Sequence, residues 1–118
     1  MPALARQISK QASLTIAALI GASVGLGTAS HAQTAGEVMT KMESNEASSY
    51  IAGVIEGLAF ARWVKDQPDS AGMKCIYDWK YGESGLDNTQ KLHAWLRRHP
   101  DKQTGHLTHT LIKQDCGE

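Results

Sequence analysis

The two cysteines of this 118-residue chain, Cys75 and Cys116, constrain its fold more than any other feature. They are its only thiols, and in an oxidising compartment a pair about forty residues apart is most simply a disulfide that closes the intervening loop. The chain-entropy description assigns such a loop about 4 kcal/mol of stabilisation as an upper value. A redox-active pair and a metal site are weaker alternatives, because the spacing fits neither a C-x-x-C motif nor a zinc motif.

The N-terminal segment predicts export into such a compartment. Arg6 and Lys10 supply positive charge, Leu14 to Leu26 is an uncharged and mostly apolar run, and Ser30-His31-Ala32 has small residues where a signal peptidase reads. We therefore expect a signal peptide over residues 1–32, cleaved after Ala32, and a periplasmic location. The apolar run falls short of the roughly twenty residues that span a bilayer, and so does every later segment, so we expect no membrane insertion of the mature chain. The alternative is an ordinary N-terminal helix of a cytoplasmic protein.

The remaining residues, 33–118, are enough for one small domain whose core alone gives marginal stability, so a covalent staple is expected. They carry ten Lys and Arg residues against twelve Asp and Glu residues, a net charge of −2 with neutral histidines. No basic stripe alternates with aromatic residues, which argues against nucleic acid as a partner. No polybasic cluster suits a membrane surface.

Apolar residues recur at helical spacing in four segments, which predicts an all-α domain. The predicted helices are a short one within Thr34 to Glu43, a long core helix from Glu46 to about Lys65, a third from Asp87 to Arg98, and a last one that is capped by Asp101 or Thr104 and ends just before Cys116. In the third helix the predicted buried stripe runs through Leu92, Trp95, Leu96 and His99, and Pro100 ends the helix. We therefore expect a small bundle of about four helices with one disulfide.

Gly53 and Gly57 lie four residues apart inside the long helix. Each costs about 1 kcal/mol of helix stability relative to alanine, so a packing reason should offset the loss. We expect a close helix crossing at these glycines. The alternative is that they open a groove for a ligand.

The stretch CIYDWKYGE, Cys75 to Glu83, places three aromatic residues at alternate positions. In an extended conformation Tyr77, Trp79 and Tyr81 share one face with Cys75. The aromatic side chains either cover the end of the bundle near the disulfide or stay exposed as anchors for a protein partner. The candidate partner-binding residues are Tyr77, Trp79, Tyr81, Asp78 and Lys80.

The sequence offers little for catalysis or metal binding. His106 and His109 could share a helix face, but two histidines without a carboxylate on the same turn do not make a metal site. No serine elbow and no glycine-rich phosphate loop is present, and no thiol is free if the disulfide forms. We therefore expect no enzyme activity, no metal and no cofactor.

Several motifs together resemble the Rap/Tai family, immunity proteins against amidase effectors of type VI secretion. The stretch SYIAGVIEG, Ser49 to Gly57, is similar to the family signature Cys-x-Gly-Tyr-Ile-x-Gly-Val-x-x-Gly. Lys74-Cys75, the segment WLRRHPD from Trp95 to Asp101, Leu111-Ile112 and Asp115-Cys116 are similar to later family motifs in the same order. The resemblance implies a small, all-helical, periplasmic protein that binds and blocks a peptidoglycan-cleaving amidase.

The chain departs from the family pattern in two places. Met42 and about Ala47 stand where the family carries a first cysteine pair, and Ser49 replaces a glycine. Gln114-Asp115 replaces the closing Phe-Pro before the last cysteine. In size, compartment and helicity the protein also resembles the acid-stress chaperones of the HdeA kind, which gives an alternative function. A homodimer is a further possibility. Opening near pH 2 to 3 would distinguish a chaperone from an inhibitor.

Overall fold

A computed structural model describes residues 32–118, and within this range the chain forms helices and no β-strand. The helices are α1 (Ala35–Thr40), α2 (Ser44–Asp66), α3 (Ala71–Tyr81), α4 (Gly85–Arg98) and α5 (Thr104–Cys116). The predicted all-α bundle is confirmed for this range, with one helix more than expected. The predicted signal peptide lies outside the described residues except for Ala32. Between residues 32 and 118 no helix has both the length and the apolar character of a membrane span.

The core is built from the predicted apolar stripes of the three longest helices. It contains Ile51 and Ile55 of α2, Leu92 and Leu96 of α4, and Leu107, Leu111 and Ile112 of α5. Burial of these side chains is the main stabilising term, at about 1.5–3 kcal/mol for each large apolar side chain. The stripe of α4 ends one turn earlier than expected, because His99 is exposed at the C-cap and its ring packs 5.6 Å from that of Trp95.

The short helix α1 is attached to the connection between α4 and α5. The backbone N–H of Ala35 donates to the carbonyl of Lys102 at 2.8 Å, and the backbone N–H of Gly36 donates to the carbonyl of Pro100 at 3.0 Å. The Thr34 hydroxyl accepts from the N–H of Glu37 and so caps the helix. These bonds satisfy N–H groups that the first turn of a helix leaves without partners.

The predicted extended conformation of CIYDWKYGE is wrong, because this stretch belongs to helix α3. Two of its residues, Ile76 and Trp79, lie three apart and are both buried, at 4% exposed each. In an extended strand they would point to opposite faces, whereas in a helix both reach the core. The alternation of aromatic residues is therefore coincidental, and burial of one helical stripe decides the local structure.

The expected close crossing at Gly53 and Gly57 is not found in the described part of the chain. Both glycines are exposed, and a Cβ atom at either would meet no other atom within 4 Å. Close approaches occur at other glycines, among them Gly85, where a Cβ atom would overlap the backbone carbonyl of Lys80. Gly85 therefore permits the tight turn between α3 and α4.

Candidate functional site

The predicted disulfide between Cys75 and Cys116 is present, with an S–S distance of 2.05 Å and a Cα–Cα distance of 5.7 Å. It joins the middle of α3 to the last residue of α5. The described residues contain no free cysteine. The bridge therefore links two helices that lie far apart in sequence.

Trp79 is a core residue, so its predicted role as a direct partner contact is wrong. Its side chain is 4% exposed, and its Nε1 donates to the Oδ2 atom of Asp115 at 2.8 Å. Its backbone carbonyl accepts from Nδ2 of the buried Asn88 at 2.9 Å. Both bonds satisfy polar groups that would be costly to bury alone. Trp79 thus joins α3 to α4 and to α5. This agrees with the first alternative given for the aromatic residues, in which they cover the end of the bundle near the disulfide.

Arg62 provides a second connection to the same end of the bundle. Its Nε donates to Oδ2 of Asp66 at 2.5 Å, and its Nη1 donates to the carbonyls of Cys116 at 3.1 Å and Gly117 at 3.0 Å. A side chain at the buried Gly72 would overlap this guanidinium group. Arg62 therefore ties α2 to the end of α5, beside the disulfide.

On the outer side of α3, Tyr77 is half-buried and its hydroxyl donates to Oε1 of Glu56 on α2 at 2.7 Å. The hydrogen bond to Glu56 raises the pKa of the Tyr77 phenol, with smaller contributions from burial and from the negative charges of Glu56 and Tyr81. The bond fixes the direction of the Tyr77 ring. It also places a carboxylate next to the exposed part of that ring.

An exposed aromatic residue lies one helical turn away from each member of the Glu56–Tyr77 pair. Tyr81 follows Tyr77 by four residues on α3 and is 66% exposed, while Phe60 follows Glu56 by four on α2 and is 64% exposed. Residues four apart lie on the same side of a helix. The contacts of Glu56 with Tyr77 and of Arg62 with Gly72 show that α2 and α3 run antiparallel. We call the surface formed by Glu56, Phe60, Tyr77 and Tyr81 the Tyr77 face.

Of the five predicted partner-binding residues, the structure brings Tyr77 and Tyr81 together and turns Trp79 into the core. Lys80 is half-buried with its Nζ 5.9 Å from the centroid of the Tyr81 ring, and Asp78 is exposed. These two charges border the Tyr77 face. The sequence prediction missed Glu56 and Phe60, because only the packing of α2 on α3 brings Glu56 to Tyr77, with Phe60 one turn from Glu56 on the side away from Tyr81.

The histidines form no metal site in the described range, where no three potential His, Cys, Asp or Glu ligands cluster. His106 and His109 are both exposed. His93 is half-buried, and burial lowers its pKa, followed by the positive charges of Arg97 and Lys80. This histidine therefore favours its neutral form in the folded protein.

Comparison of the chain with protein-family models, with curated proteins and with solved structures gives no match. The similarity to the Rap/Tai family stays a prediction from the motifs quoted above. The contacts of the Tyr77 face and of the disulfide end are the structural basis for a functional proposal.

Proposed function

We propose that the protein is a periplasmic inhibitor of the Rap/Tai type, which binds a peptidoglycan amidase effector through the Tyr77 face. The observation that carries the proposal is the exposure of Phe60 and Tyr81, at 64% and 66%, on either side of the hydrogen-bonded Glu56–Tyr77 pair. Large exposed aromatic side chains are typical anchors of protein interfaces. Asp78 and Lys80 supply the polar border that surrounds such anchors.

The contacts that hold helices α2 and α3 in place favour binding through this face. The disulfide and the Trp79 hydrogen bonds hold α3, and the Arg62 hydrogen bonds hold α2. A surface on fixed helices loses little conformational freedom when a partner binds, so more of the contact energy appears as affinity. An inhibitor that acts by occupying an enzyme surface needs this property and no chemistry of its own.

The proposed compartment is supported by the Cys75–Cys116 disulfide, since such bonds persist in oxidising compartments. The predicted signal peptide of residues 1–32 agrees with that location. An amidase that cleaves peptidoglycan acts in the same space, so inhibitor and target would meet there.

The proposal is tested by mixing the purified, oxidised protein with type VI peptidoglycan amidases and measuring amidase activity. We expect one amidase to be inhibited at about equimolar protein. The double variant Phe60→Ala/Tyr81→Ala should inhibit at least about tenfold more weakly, since interface anchors commonly contribute 2 kcal/mol or more each. The matched control is Leu86→Ala, because Leu86 is 72% exposed but lies on α4. Equal inhibition by the wild type and the double variant would contradict the role of the Tyr77 face.

An acid-stress chaperone is the second candidate, favoured by the exposed apolar side chains of Val64 and Leu86 outside the Tyr77 face. A chaperone of this kind needs apolar surface for unfolded clients. It should open near pH 2 to 3 and protect aggregating proteins there, whereas the inhibitor should act at neutral pH on one enzyme. Circular dichroism and a client-aggregation assay at both pH values separate the two functions.

A further inference from the structure

An open pocket of about 320 Å³ lies between α2 and α5, on a different part of the surface from the Tyr77 face. Its apolar floor includes Leu58, Ile76 and Ile112. Two of these belong to the core, since Ile76 is 4% and Ile112 2% exposed. A ligand seated here would therefore contact the interior of the domain and lose apolar surface to it.

The rim of the pocket is basic. Lys65 of α2 and His109 and Lys113 of α5 line it, together with Arg62. The Arg62 guanidinium is already occupied by Asp66 and by two backbone carbonyls, and Lys65 Nζ lies 3.9 Å from the same Asp66 carboxylate. Among the residues that the structure describes, the only carboxylate paired with Lys113 is that of Glu118.

A carboxylate of the chain itself occupies this rim. Oε1 of Glu118 lies 2.5 Å from Nζ of Lys113, and the Glu118 side chain is 65% exposed. The hydrogen bond and the charge of Lys113 lower the pKa of Glu118, burial opposes them, and the charges of Lys65 and His109 make smaller contributions that also lower it. All three basic residues therefore act on one carboxylate, which lines the same pocket as the apolar residues.

We propose that this pocket binds an alkyl carboxylate of the fatty-acid class. The ligand carboxylate takes the place of the Glu118 carboxylate on Lys113, and the alkyl chain lies over Leu58, Ile76 and Ile112. Charge agrees with this class, because Arg62 and Lys65 already face Asp66, and Lys113 supplies a cation for one anionic group beside the apolar residues Leu58, Ile76 and Ile112. The volume is at the lower end of the roughly 300–1,000 Å³ of ligand pockets, which suits one short chain. The inference does not depend on the proposed inhibition of an amidase.

Isothermal titration of the full-length, oxidised protein with decanoate tests the proposal. We expect saturable binding of one decanoate per chain, and much weaker binding of acetate, which lacks the chain, and of decanol, which lacks the carboxylate. Lys113→Gln should weaken decanoate binding roughly tenfold through loss of a charge-assisted hydrogen bond. Glu118→Gln should strengthen it several-fold, because the side-chain carboxylate that competes for Lys113 is removed.

The matched control is Lys41→Gln, which removes an exposed lysine outside the pocket and should leave the affinity unchanged. Circular dichroism checks that each variant is folded. The opposite effects expected for Lys113→Gln and Glu118→Gln distinguish ligand displacement from a general loss of structure. Absence of saturable binding, equal binding of decanol and decanoate, or an unchanged affinity in either pocket variant would overturn the proposal.

Discussion

Trp79 and Asp115 are joined by a 2.8 Å hydrogen bond from the indole Nε1 to the carboxylate Oδ2, and Asp115 directly precedes the disulfide-bonded Cys116. The indole contact and the disulfide therefore hold the same turn of α5 against α3. Arg62 adds α2 to this junction through the carbonyl of Cys116. Three helices are thus joined at one end of the bundle.

Removal of the disulfide should lower stability without changing the fold. We expect the double variant Cys75→Ser/Cys116→Ser to lose about 2–4 kcal/mol of unfolding free energy, because the unfolded chain regains the freedom of a long loop. Urea denaturation followed by circular dichroism measures this loss. Reduction of the wild type should produce a similar shift of its midpoint, and reductant should not affect the variant. Identical midpoints for the oxidised wild type and the variant would contradict the stabilising role of the bridge.

Glycine substitutions should have opposite effects at different sites. Gly57→Ala should stabilise the protein by about 1 kcal/mol, because alanine favours the helix and the added Cβ meets no atom within 4 Å. Gly85→Ala should destabilise it by about 1–3 kcal/mol, because the Cβ would overlap the carbonyl of Lys80. Thermal melts of both variants measure the difference.

Gly53→Ala is the companion of Gly57→Ala and should be stabilising to the same extent. If both alanine variants were instead less stable, and the more so at higher protein concentration, a second copy would be packing on these glycines. Sedimentation velocity of the wild type checks that result directly. It also tests the homodimer that the sequence left open.

The Tyr77–Glu56 hydrogen bond should make stability sensitive to alkaline pH. The folded-state pKa of Tyr77 is raised above its ordinary value of 10.0. The protonated phenol therefore contributes stability that is present below pH 10 and is lost as the pH rises through the folded-state pKa. Tyr77→Phe should abolish that alkaline loss, as measured by denaturation midpoints on either side of pH 10. An equal alkaline loss in the variant would show that Tyr77 does not cause it.

His93 should make stability sensitive to mild acid in the opposite sense. Its pKa is lowered in the fold from the ordinary value of 6.5, so the unfolded chain binds a proton more readily. Stability should therefore fall as the pH drops below 6.5 and should be retained above it. In His93→Gln the fall in stability that His93 causes should be absent, so the urea midpoints at about pH 5 and about pH 8 should differ less than in the wild type. The variant fails the prediction if its midpoint falls as much as that of the wild type.

The parts of the fold that follow from local periodicity could be predicted from the sequence. Helices α2, α4 and α5 were expected from their apolar stripes, and the disulfide from the number of thiols. Helix α3 was not, because the alternation of Tyr77, Trp79 and Tyr81 matches a strand until the burial of Ile76 together with Trp79 is known. Two periods fit these few residues, and tertiary packing selects one.

The candidate site was predicted only in part, for a related reason. Tyr77 and Tyr81 come together in a strand or in a helix, so the wrong local structure still grouped them. Glu56 reaches Tyr77 only through the packing of α2 on α3, a relationship between segments that local patterns do not contain, and Phe60 enters the surface as the next exposed turn of α2 after Glu56. The pocket that holds Glu118 likewise combines residues from α2, α3 and α5.

Calorimetric titration of the inhibited amidase with three forms of the protein tests whether the Tyr77 face binds the enzyme. We expect stoichiometric binding by the wild type and by Leu86→Ala, with at least about tenfold weaker binding by Phe60→Ala/Tyr81→Ala. Equal affinity of all three forms, or weakening by Leu86→Ala alone, would contradict it.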